Sequence, residues 1–154
     1  MDNEALLVEG DEYFDNGDYE AAFSIYLRAA EAGCVHSMLR LASMYTLGEA
    51  VACNYDKAIE WELKAVDCGE PTALLNVGIT YRIKGDIVKA KYWLEKSMAA
   101  GDGSGALQLA KLYMVSPKEN DKIREYLNFA INAENMFESD LEEARKLLSI
   151  TPNL

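Results

Sequence analysis

Few residues in this chain are able to do chemistry. One histidine, His36, and three cysteines, Cys34, Cys53 and Cys68, supply all the imidazole and thiol of 154 residues. Cys34 and His36 stand two apart, a spacing that sends helical side chains to different faces, so the pair reads neither as a zinc site nor as a nucleophile with its base. The cysteines form no C-x-x-C pair and read as small buried hydrophobes rather than as a disulfide framework. Asp11 and Asp15, four apart, share a helix face, but an acid–base pair needs a desolvated cleft that drives two pKa values apart, and these lie in a polar stretch beside a turn. The order of acids and glycine that makes a calcium loop is missing. The expectation is therefore no catalytic residue, no metal and no cofactor, with an enzyme or a His36-triggered pH regulator as remote alternatives.

Charge is more informative. Against 15 Lys and Arg stand 26 Asp and Glu, a net −11 that repels phosphate backbones and anionic headgroups, so neither nucleic acid nor membrane is an expected partner. The acidic start lacks the basic end and apolar run of a signal peptide, and no apolar stretch reaches membrane-spanning length, which points to a cytoplasmic protein. Residues 1–33 carry a net −8 of the total. Asp11, Glu12, Asp15 and Asp18 concentrate that field in one acidic lobe, which reads either as a solubilising cap or as a docking patch for a basic partner.

The elements that must position these groups repeat along the chain. Gly10, Ala42, Gly78 and Ala110 each stand three before a tyrosine (Tyr13, Tyr45, Tyr81, Tyr113), and Leu7, Leu39, Leu75 and Leu107 stand six before it. A second motif follows each time, as Ala22-x-x-Ile25-x-x-x-Ala29, Ala58-x-x-Trp61-x-x-x-Ala65, Ala90-x-x-Trp93-x-x-x-Ser97 and Ile123-x-x-Tyr126-x-x-x-Ala130. Gly33, Gly69 and Gly101 close the first three copies, each 12 residues before the next tyrosine.

That pattern is the signature of antiparallel helix pairs. A small residue on the first helix lets the second approach, Trp61 and Trp93 fill the space between pairs, and the recurring tyrosines read as core. Asp18 and Asp86 are N-caps, and the closing glycines take the left-handed turn that ends a helix. The residues predict helices at about 3–15, 19–32, 36–47, 55–68, 71–83, 87–100, 104–115, 120–133 and 139–149. The last opens on a capping box, Ser139-Asp140-Leu141-Glu142, and carries a stripe of Leu141, Ala144, Leu147 and Leu148. One pair cannot bury both of its apolar faces, so neighbours must stack. The expected fold is all-α: one domain over 1–154, a right-handed superhelical α/α solenoid of about four hairpin repeats (4–33, 36–69, 72–101 and 104–134) with 139–149 as a capping helix.

Steps of 36, 32 and 33 residues between second-helix motifs lie near the roughly 34-residue tetratricopeptide period. The longest copy, with Gly48, Val51, Asp56, Lys57-Ala58, Trp61, Lys64-Ala65 and Gly69, resembles the Sel-like repeat (SLR) family, relatives of tetratricopeptide proteins. The first copy is closer to a plain tetratricopeptide repeat, and the fourth, with Ser116-Pro117-Lys118 in its loop, is degenerate. The resemblance implies a non-catalytic protein-interaction module whose first helices line a concave groove. On this chain the corresponding positions are His36, Arg40 and Ser43, then Thr72, Asn76 and Ile79, then Ser104, Gln108 and Lys111, bordered by Leu39, Leu75 and Leu107 as core or groove floor. The set departs from the basic clamp that tetratricopeptide co-chaperones close on an acidic C-terminus. Tyr19 and Tyr26 on the convex side and the loop from Leu47 to Asn54 are rival surfaces. A short acidic solenoid suggests one tight complex, its sharpest form a bacterial immunity protein covering a basic toxin domain, with a general adaptor as the alternative.

Overall fold

The computed structural model describes residues 3–115 and 119–152. Among them the chain forms nine helices and no strand: α1 (Asn3–Asp15), α2 (Tyr19–Glu31), α3 (Val35–Leu47), α4 (Tyr55–Asp67), α5 (Pro71–Lys84), α6 (Ile87–Ala99), α7 (Gly103–Met114), α8 (Asn120–Asn132) and α9 (Glu138–Ile150). Each boundary follows local chemistry. Asp18, Asn54, Asp86 and Asp102 accept backbone N–H groups at the starts of α2, α4, α6 and α7, and Gly48 and Gly85 end α3 and α5 in the left-handed conformation. One expectation fails. The capping box of α9 is not made: the helix starts at Glu138 behind Phe137, which offers no capping side chain. Ser116, Pro117 and Lys118 of the fourth loop lie outside the described residues, as do Met1 and Asp2.

Extensive contacts join each helix to the next along the chain, with smaller ones between α5 and α7 and between α7 and α9. This is the stacking of helix hairpins into an all-α solenoid. Within each hairpin the small residue decides how close the helices come. A methyl group built on Gly10 would lie 2.5 Å from the Tyr26 ring, and one on Gly78 would lie 2.7 Å from Leu94, so in both hairpins the second helix occupies the space of the missing side chain. In α9, Ala144 is likewise fully buried against the fourth pair.

The core is in two main parts. One is built on Tyr26, Leu41, Met44 and Trp61 from the first two pairs. The other is built on Leu94, Leu107, Leu109 and Leu127 from the last two, with Leu147 and Leu148 of α9 packed on it. Trp61 is buried as expected, whereas Trp93 is half-buried and meets Tyr92 edge to face. The recurring tyrosines are less interior than their spacing suggests. Tyr13 is exposed and Tyr45, Tyr81 and Tyr113 are half-buried, because each lies one turn beyond the close contact made by its small partner. Cys53 and Cys68 are exposed and Cys34 is half-buried against Leu6, Ile25 and Ala29, so the expectation of buried thiols is also corrected: all three fall at helix ends or in a loop.

Candidate partner-binding groove

Because α1, α3, α5 and α7 alternate with the second helices, their outward rows form one face of the stack. Between α3 and α5 that face opens into a recess of about 200 Å³. Leu39, Ser43, Thr46 and Leu47 follow helical spacing along one wall, Asn76, Ile79, Thr80 and Ile83 along the other, and Glu62 of α4 lies beneath. Four of these, Leu39, Ser43, Asn76 and Ile79, are positions that the family resemblance implies for the groove.

Glu62 is the residue that sequence reasoning missed. Only 4% of it is exposed. Its Oε1 accepts a 2.8 Å hydrogen bond from the Thr80 hydroxyl, while Oε2 has no partner among the described residues. Burial pushes the carboxyl up to about 7, with the Thr80 hydrogen bond pulling back. A signal was present in the repeat. Four residues after Ala22, Ala58, Ala90 and Ile123 stand Tyr26, Glu62, Leu94 and Leu127. All four are buried, so the register alone marks position 62 as interior and the acid there as an exception.

The other predicted positions scatter. His36 is exposed at the start of α3. Arg40 leans back onto α1, its Nε 3.1 Å from Asp11, and Asp11 also accepts a 2.6 Å hydrogen bond from the Tyr26 hydroxyl. Asp11 therefore belongs to the first-helix face and not to a separate lobe. Tyr26 is fully buried, which removes it from the convex surface, and burial followed by the bond to Asp11 raises its hydroxyl pKa. Tyr19 is exposed and packs edge to face on Phe14. Asp18 is exposed but occupied as the cap of α2, and Glu12 and Asp15 are exposed as well. Thr72 is held by Glu70 in the cap of α5, and Leu75 packs on the second core.

At the far end the row is engaged by α9. Lys111 contacts Glu143 at 2.6 Å, Ser104 donates to Asp140 at 3.1 Å, and Gln108 keeps a buried Oε1 without a partner among the described residues. Leu107 is core, not groove floor, at 1% exposure. The open part of the face is thus the stretch from α1 to α5. Among the described residues, no three of His, Cys, Asp and Glu are placed to hold a metal ion, and no helix is long and apolar enough to cross a membrane.

The profile of the Sel1 repeat matches residues 10–34, 35–70 and 72–102. No curated protein matches the chain in sequence. Among solved structures, c5321, a protective antigen of uropathogenic Escherichia coli strains with an SLR fold, superposes with a TM-score of 0.75 at 22% identity, over 96% of this chain and 33% of that one. A Sel1 repeat protein from Oxalobacter formigenes superposes at 0.67 with 20% identity, over 92% and 66%. MamA does so at 0.67 with 21% identity, over 96% and 84%. At these identities the likeness speaks to the fold. The chain spans about a third of c5321 and about two thirds of the Oxalobacter protein.

Proposed function

Because this chain belongs to the Sel1 repeat family, whose members are generally protein-interaction modules, we propose that it is a non-catalytic module that holds one partner protein along the first-helix face from α1 to α5, and that the contacting surface of this partner is basic. The observation that carries the reading is the open recess between α3 and α5, where leucine and isoleucine side chains alternate with hydroxyl and amide groups around a buried acid. The net −8 of residues 1–33 supports the sign of the partner, since such a field raises encounter rates with a cation-rich surface. A basic toxin domain, covered and so neutralised by this protein as its immunity partner, is the sharpest form of the proposal.

Paired variants test the reading on a partner obtained by co-purification. Ser43→Arg with Ile79→Arg obstructs the recess and is expected to abolish binding. Glu12→Lys with Asp15→Lys is expected to slow association at low salt and to lose that effect at high salt, where exposed charges are screened. A partner that binds the recess variant as tightly as the native protein sinks the groove reading. Cells that survive a cognate toxin with the non-binding variant sink the immunity form.

A further inference from the structure

Resting on the groove reading above, we propose that the recess floored by Glu62 receives one cationic side chain, a lysine or an arginine, from an apolar stretch of the partner. The argument starts from what the fold does not require. The equivalent place in the other three pairs is filled by Tyr26, Leu94 and Leu127, each buried, so packing of the hairpin is met without an acid. An acid there is costly, because a buried carboxyl with an unpaired oxygen loses water and gains nothing in return. Thr80 answers one oxygen, and Oε2 is left without a partner.

Its location fits a receptor better than a core. Glu62 of the second pair and Thr80 of the third meet where those two pairs join, and both line the recess. Leu39 and Ile79 on the walls suit the methylene stem of a long basic side chain, whose head would reach the carboxyl. Leu47, 66% exposed, and Ile83, 48% exposed, present apolar surface at the rim for the residues that flank it. A lysine or arginine head donates the hydrogen bond that Oε2 lacks and brings the opposite charge, and a charge-assisted bond in a desolvated site is the strong kind. Neutral or acidic side chains offer Oε2 less or repel it.

Selection of a random peptide library on the immobilised protein, with Glu62→Gln and the recess variant Ser43→Arg/Ile79→Arg in parallel, is the test. Gln keeps the shape and the acceptor for Thr80 and removes only the charge, and a cooperative thermal transition checks that each variant is folded. The expected result is a native-protein motif with an invariant Lys or Arg between apolar residues, absent from peptides selected on either variant. Replacing that basic residue by norleucine in a synthetic peptide should weaken binding to the native protein at least about tenfold and change binding to Glu62→Gln little. Peptides that depend on the recess but share no basic residue overturn this inference and leave the groove reading standing. A selection that yields no recess-dependent peptide overturns both.

Discussion

At the residue scale, this protein is distinguished by polar groups set where its own repeat places apolar ones. Glu62 makes a prediction independent of any ligand. Its unfolded carboxyl titrates near 4.5 and its folded one near 7, so between those values the native state holds the extra proton and stability falls as pH rises. The window is about pH 5 to 7, and the loss across it is roughly 3 kcal/mol. Urea unfolding at about pH 5 and about pH 8 should show this decline in the native protein and not in Glu62→Gln; parallel behaviour of the two would contradict the burial argument. Tyr26 is a second case. Its hydroxyl sits in an otherwise apolar cluster and is answered by Asp11, so Tyr26→Phe is expected to cost about 1 kcal/mol in the same assay, with Arg40 still paired to Asp11.

At the element scale, hairpin geometry depends on the small residue of the first helix. Gly78→Ala gains helix propensity, but its new methyl meets Leu94 Cγ and Cδ2 at 2.7 Å and the Leu94 backbone nitrogen at 3.2 Å. Overpacking exceeds the propensity gain, and a net loss of about 1 kcal/mol follows, measured as a lowered unfolding midpoint. An unchanged or raised midpoint would mean that α5 and α6 separate more easily than their packing implies. The helix pattern itself was legible in the chain: every observed boundary falls within a residue of its expected place, because periodic apolar positions and Asp, Asn and Gly at the ends act locally. The failed capping box of α9 shows the limit. Asp140 of that motif instead accepts from Ser104, a residue 36 positions away whose nearness no local rule reveals.

At the scale of the whole molecule, stability passes between neighbours and has two main centres. Removing the chain from Met136 onward would strip Ala144, Leu147 and Leu148 from the second cluster and expose the part of it they cover. In a quasi-one-dimensional stack the damage stays near the break. Hydrogen exchange should therefore show lost amide protection in α7 and α8, with α2, α3 and α4 changed far less. Equal loss throughout would indicate a single cooperative core and contradict the two clusters.

What the chain alone determined is what depends on neighbours in sequence: the nine helices, their pairing, the repeat they share, and the acid excess of residues 1–33. The resemblance to Sel-like repeats, laid on the repeat register, also pointed to Leu39, Ser43, Asn76 and Ile79 for one face, since a fixed period makes equivalent positions line up. Only the tertiary structure decided which of those side chains are engaged: Arg40 with Asp11, Lys111 with Glu143, and Tyr26 inside the stack. It alone set Glu62 beneath the recess with one oxygen answered by Thr80. The reason is that burial and pairing are properties of the space between helices, fixed by where residues 15 to 36 positions apart come to lie.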